Sequence, residues 1–252
     1  MAAPSRSELR RPAALRRFAS AFVAAPAYPP SAADLRTVSL LGLELPIRAA
    51  FAIAYVTLAV LFDFSRTFIP ESIQDLGRAA EAMRFQAIER LILFGLAPLA
   101  IVVLAYRESP ARYGLRLGDW RWGIGLALAG MTVMTPVVLA LAAVPQFQDY
   151  YSVSAASSLD IVVTHALDLI PAEFMFRGFL LFTLVRAFGP IGVLIATLPF
   201  VFSHLGKPEI ELFSTLFGGL AFGWLNWRTG SILYSAVAHV WIISLMLIAT
   251  GG

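Results

Sequence analysis

Residues Trp122 to Val144 read WGIGLALAGMTVMTPVVLALAAV, an uninterrupted apolar stretch without a charge. At 1.5 Å per residue, a helix needs about 20 such residues to cross the roughly 30 Å hydrocarbon core of a bilayer. A helix with no polar face has nothing to offer water, so this stretch belongs in lipid or in a core. The rest of the chain agrees with lipid. Of 252 residues 59% are hydrophobic and 14% charged, and the mean hydropathy is +0.77; a soluble chain carries about 25% charged residues. The expected fold is all-α, a polytopic transmembrane helix bundle of about seven to eight spans. Seven candidates run from Ala49 to Phe62, Leu91 to Tyr106, Trp122 to Val144, Ile161 to Phe182, Ile191 to His204, Leu212 to Trp227 and Ile232 to Ile248.

Three regions follow from this reading. Residues 1–46 form a basic tail, in which Arg6, Arg10, Arg11, Arg16, Arg17 and Arg36 alternate with Ala, Ser and a proline-rich patch; this composition favours lying on anionic lipid over removal as a signal. Residues 47–150 hold the N-terminal spans and an amphipathic interfacial segment, Ile73 to Arg90, which could also extend the second span. Residues 151–252 hold the helices that carry the chemistry. With the N-terminus in the cytoplasm, the inner segments hold thirteen basic residues, seven up to Arg48, four from Arg107 to Arg121, Arg186 and Arg228. The outer segments hold five, Arg66, Arg78, Arg84, Arg90 and Lys207, so the positive-inside rule puts the N-terminus in the cytoplasm. The expected location is a bacterial cell membrane. A net charge of +3 comes without the basic and aromatic interleaving of a nucleic-acid surface, so no nucleic-acid partner is expected. With no cysteine in the chain, disulfides, thiol nucleophiles and Cys-ligated metals are excluded.

A charge at mid-bilayer costs about 2.5 to 3.5 kcal/mol on insertion scales, so those that persist face the protein interior and pair or act. The chain keeps Asp168, Glu173 and Arg177 in the fourth span, His204 at the end of the fifth and His239 in the seventh, with His165 close to Asp168. Glu173 and Arg177 are four apart, on one helix face and within ion-pairing reach; taken alone, such a pair can be a structural staple. Pro171 removes a backbone donor next to them, so the helix starts or kinks there. His204 precedes Gly206 and Pro208, which end its helix. One carboxylate, one guanidinium and two imidazoles on three helices suit activation of water, with glutamate as base and histidine sharing the proton or bonding an oxyanion.

These residues resemble the CPBP family of intramembrane proteases, which includes type II CAAX prenyl endopeptidases and bacteriocin-processing proteins and is marked by EExxxR, FxxxH and HxxxN on successive helices. Here the segments are Ala172-Glu173-Phe-Met-Phe-Arg177, Phe200-Val-Phe-Ser-His204 and His239-Val-Trp-Ile-Ile243. Gly218, Gly219, Gly223 and the Arg228-Thr-Gly-Ser231 turn resemble the family's small-residue helix and its end. The likeness covers Asp160 to Ile248. It implies a metal-independent, glutamic-type endopeptidase that cuts membrane-anchored proteins or peptides, with Glu173 and His204 activating water, His239 stabilising the oxyanion and Arg177 beside them.

Two positions depart from the pattern. Ala172 stands where the first glutamate belongs, and Ile243 where the asparagine belongs; Ser244 is rotated by about 100° from that position. Glu173 itself, Asp168 one turn before Ala172, or Glu209 after His204 could supply the missing function. The alternatives are a scaffold or immunity-like protein that binds peptides without cutting, a zinc site built from His204, His239 and Glu173, and a proton-coupled transporter.

Overall fold

The computed structural model describes residues 20–65, 70, 72, 80–152 and 157–251. The amphipathic reading from Ile73 and the first part of the basic tail therefore lie partly outside the described residues. Among the described residues the regular structure is helical apart from one hairpin, in which β1 (Thr37–Leu40) pairs antiparallel with β2 (Leu43–Pro46). Its two turn residues, Leu41 and Gly42, both have positive φ, the conformation a tight two-residue hairpin turn requires.

The helices follow as α1 (Ile47–Ser65), α2 (Ala80–Ala105), α3 (Trp120–Ala142), α4 (Pro145–Tyr151) and α5 (Ser158–Glu173). A π-helical turn, Phe174–Leu180, joins α5 to α6 (Leu181–Phe188). Then come α7 (Ile191–Phe202), α8 (Glu209–Thr229) and α9 (Leu233–Ala249). Local chemistry sets several ends: Asp119 accepts from the Trp122 N–H at the start of α3, Ser157 accepts from the Asp160 N–H at the start of α5, and Gly230 closes α8 in the left-handed conformation.

The run α5–π–α6 is the central rod. Every residue from Pro171 to Arg186 is buried, the charged Glu173, Arg177 and Arg186 included, as expected of a mostly apolar helix covered on all sides. Helices α1, α2 and α7 pack against it, and α9 packs against α3 and α5. Gly178 sits at a close approach: a Cβ there would lie 2.8 Å from the Tyr113 carbonyl oxygen and 2.7 Å from the Phe174 ring. Gly219 and Gly223 let α8 approach α7, where a Cβ would fall 2.8 Å from Thr197 and 2.9 Å from Val193. Gly218 has open space instead.

The helical bundle is as expected, while helix length by itself establishes fewer than the seven or eight crossings expected. Among the described residues three helices are long and apolar enough to cross a membrane, Ile47–Ser65, Ala80–Ala105 and Trp120–Ala142, and Ile191–Phe202 and Leu233–Ala249 are shorter apolar helices. Twelve residues of α7 reach only about 18 Å. The α8 helix carries Glu209, Glu211 and Arg228. Ala80 to Arg90 continues directly into the second span, so this part of the amphipathic segment extends that helix.

The described part of the tail is docked. Phe22 lies against the rings of Trp122 and Trp224, at 5.8 and 4.7 Å. Arg228 donates to the carbonyls of Ala21 and Phe22, Tyr28 donates to the Trp227 carbonyl, and Asp34 is buried among Arg48, Arg112 and Arg186.

Candidate active site

Glu173 is the last residue of α5 and Arg177 lies in the π-turn that follows. Pro171 gives up one backbone hydrogen bond in this rod, and a π-turn is the kind of local rewinding that accompanies such a break. The ion pair expected from the spacing is present: Arg177 Nη1 donates to Glu173 Oε1 at 2.5 Å. His239 Nδ1, from α9, donates to the same oxygen at 2.8 Å. Ser235, one turn earlier on α9, donates its hydroxyl to Oε2 at 2.7 Å. Glu173 has no exposed surface, so both of its oxygens are held by protein donors. The Arg177 guanidinium also stacks over Phe200 at 3.9 Å and faces Phe222 at 5.4 Å, a cation–π arrangement that suits a charge in apolar surroundings.

His204 lies in the turn after α7. Its Nδ1 bonds the Phe200 carbonyl oxygen at 2.8 Å, and its ring is 4.5 Å from Phe200. The Phe200 ring is 6.0 Å from His239, so the two imidazoles flank one phenyl group. In both histidines the bond at Nδ1 assigns the proton to that nitrogen and leaves Nε2 as the lone-pair atom.

Both imidazoles line a cavity of about 470 Å³ between α3, α4, α8 and α9. Its walls are apolar, with Leu126, Met134, Phe222 and Ile242 among them, and Tyr151, Glu211, Ser214 and Thr215 add polar groups. Glu173 and Arg177 stand behind the wall, where Glu173 touches His239 and Arg177 touches Phe200 and Phe222 of the lining. Ile243, where the asparagine of the pattern would be, forms part of the wall. Ala172 is packed in the core. Ser244 is buried with its hydroxyl unpartnered and does not line the cavity.

The two proposed substitutes for the missing glutamate lie elsewhere. Asp168 accepts from Arg90, which also holds Asp63, and Glu209 is exposed at the start of α8. The carboxylate on the cavity is Glu211, which accepts from Tyr151 at 2.6 Å and from Lys207 Nζ at 2.7 Å. Burial works against the Lys207 charge, but Tyr151 and Glu211 beside it raise its ammonium above the ordinary value. Ser235 and Glu211 were not singled out in the sequence. Each had a signal available: Ser235 precedes His239 by four residues and Glu211 follows Lys207 by four, both one helical turn.

No curated protein and no solved structure matches the chain. Residues 153–244, which contain Glu173, Arg177, His204, Ser235, His239 and Ile243, match the family model described as type II CAAX prenyl endopeptidase Rce1-like, a likeness that agrees with the CPBP resemblance of the motifs in this part of the chain.

Proposed function

We propose that the chain is an intramembrane endopeptidase that hydrolyses a peptide bond of a membrane-associated protein or peptide, using water activated by histidine and glutamate. The observation that carries this reading is the 2.8 Å bond from His239 Nδ1 to the buried Glu173, with His239 and His204 on the wall of one cavity. His204 Nε2 takes a proton from water as the oxygen attacks the carbonyl carbon. The same proton goes to the leaving nitrogen as the C–N bond breaks. His239 is held in orientation by Glu173 through Nδ1; when the ring also carries a proton on Nε2, that N–H donates to the developing oxyanion and Glu173 stabilises the imidazolium. Glu173 thus works through an imidazole.

The donor set supports a metal-free reading. Glu173 already accepts from Arg177, His239 and Ser235, which leaves it poorly placed as a third ligand beside His204 and His239. We further propose a cytoplasmic N-terminus in a bacterial cell membrane, supported by the thirteen-to-five distribution of basic residues, with the shorter helices completing about seven or eight crossings.

The test is cleavage of a panel of membrane-anchored peptides, lipidated CAAX-type C-termini among them, by the full chain in lipid nanodiscs. Glu173→Gln and His204→Ala are each expected to lower kcat/KM by about 100-fold or more. Cleavage indifferent to both would sink the proposal, and loss of activity on chelation would favour zinc. A second reading, peptide binding without cleavage, draws on the apolar residues at 172 and 243. It expects wild type to retain an uncut peptide and Ala172→Glu to begin cutting it.

A further inference from the structure

Residues 37–46 read TVSLLGLELP, and the hairpin they form sorts by chemistry. Successive side chains of a strand point to opposite faces, and residues directly opposite one another in an antiparallel pair share a face. The register pairs Val38 with Leu45 and Leu40 with Leu43, so these four apolar residues lie on one face. Thr37, Ser39 and Glu44 fall on the other, where the Thr37 hydroxyl donates to the Glu44 carboxylate at 2.7 Å. Such alternation is what a sheet shows when one face is packed and the other is wet. Among the described residues nothing packs on the apolar face: Val38 is 48% exposed, Leu40 56% and Leu43 64%.

The turn adds to this surface. Leu41 is 96% exposed and has a φ of 51°, a left-handed conformation in which Asn, Asp or Gly is favoured and leucine is not. A two-stranded hairpin by itself is marginal in water. A leucine at its tip and an open apolar face gain nothing from water, so the surroundings that suit this surface are apolar.

Where the hairpin is fixed says what those surroundings are. Pro46 is followed without a linker by Ile47, the first residue of α1, and the Ile47 N–H donates to the Arg36 carbonyl at 2.9 Å. Both ends of the hairpin are therefore tied to the start of α1. This helix is long and apolar enough to cross a membrane, and its uncharged stretch, Ala49 to Phe62, covers about 21 Å of a hydrocarbon core roughly 30 Å thick. A span this short draws the groups flanking it to the hydrocarbon edge. Strands of four residues reach about 13 Å, so a hairpin tied there stays close to that edge. Arg36, exposed at its base, suits the headgroup phosphates at the same level.

We propose that the hairpin is seated in the membrane: its apolar face and Leu41 lie among lipid at the end of the bundle where α1 begins, while Thr37, Ser39 and Glu44 face water. Its partner is the boundary of headgroups and acyl chains in one leaflet, and apolar contact holds it there without a need for anionic lipid. Arg48, the second residue of α1, pairs with Asp34, so the seat also fixes the depth of the docked segment. The proposal needs the chain to lie in a membrane and is independent of the endopeptidase reading.

The chain has no cysteine, so an introduced cysteine carries a nitroxide label at one known place. The full chain in phosphatidylcholine nanodiscs is compared as Leu40→Cys, Leu41→Cys and Leu43→Cys, with Ser39→Cys on the polar face and Leu58→Cys, exposed on α1, as the lipid-facing reference. Collision of each label with oxygen, which concentrates in lipid, relative to a water-soluble nickel chelate is expected to be several-fold higher at 40, 41 and 43 than at 39, and to approach the ratio at 58. Unfolding followed by tryptophan fluorescence checks that every labelled chain is folded, and adding anionic phosphatidylglycerol should leave the ratios little changed. Water-like ratios at 40, 41 and 43, equal to that at 39, overturn the proposal. So does shielding of these labels from both reagents with spin coupling between chains, which would put a second copy on the face, and so does a lipid-like ratio that needs phosphatidylglycerol, which would make the seat one of charge.

Discussion

At the residue scale the Glu173 carboxylate accepts from Arg177 four residues along its own rod and from Ser235 and His239 on another helix. Removing one donor from so closed a group leaves an oxygen that water cannot reach. Ser235→Ala is therefore expected to cost about 1 to 3 kcal/mol of stability. Glu173→Gln, which strands the buried Arg177 charge, should cost more, about 3 to 5 kcal/mol. Unfolding in detergent measures both, and Ser235→Thr should recover most of the loss; a Ser235→Ala chain as stable as wild type would show that the hydroxyl contributes nothing. The sequence makes part of this cluster legible. Glu173 and Arg177 share a helix face, and a histidine in an apolar run must find a partner. Ser235 is not legible in the same way, because a serine in a helix costs little and advertises no partner. Asp168 shows the converse: it shares a face with Ala172 by spacing, yet Arg90 from another helix, which also binds Asp63, claims it.

At the scale of the element, the rod from α5 through the π-turn to α6 places the buried charges. Its apolar composition on every side is plain in FMFRGFLLF, and Pro171 marks where regular winding fails. What spacing does not convey is the outcome of that failure, a continuous rod rewound through Phe174–Leu180 instead of two helices. The number of crossings was also hard to read, since hydropathy registers apolar runs but not the length of the helices they form. Gly178 tests the rod's fit. Its missing side chain admits the Tyr113 carbonyl and the Phe174 ring, and backbone cannot step aside as a flexible side chain does. Gly178→Ala should cost about 1 to 3 kcal/mol by overpacking. Gly218→Ala, with nothing within 4 Å of the added Cβ, should leave stability unchanged in the same unfolding assay. Equal behaviour of the two variants would mean that the rod yields at Gly178.

On the scale of the whole molecule, the described segment from Ser20 to Pro46 clasps helices far apart in sequence, and Asp34 is its main fastening. Burial alone would raise this carboxyl, but the Ser31 N–H and hydroxyl together with the Arg186 and Arg48 guanidiniums outweigh it and lower it to about 2. Basic composition gave this segment the look of a surface tail; its acceptor, Asp34, is a single residue whose three arginines come from α1, the loop before α3, and α6, which no local pattern announces. The pH dependence has a definite sign. An unfolded aspartate titrates near 3.9, so a group held near 2 in the fold contributes its full stabilisation above about pH 4 and loses it as pH falls toward 2, a contribution of about 2 kcal/mol. Phe22 packs on Trp122 and Trp224, so release of the clasp should alter tryptophan fluorescence and open the segment to protease. Acidifying wild type from pH 5 to 2 should bring both changes on gradually. Asp34→Asn should show the released state already at pH 5 and little further response, which separates Asp34 from the other carboxyls titrating in that range; a mutant that tracks wild type through the same window would mean that the clasp is held elsewhere.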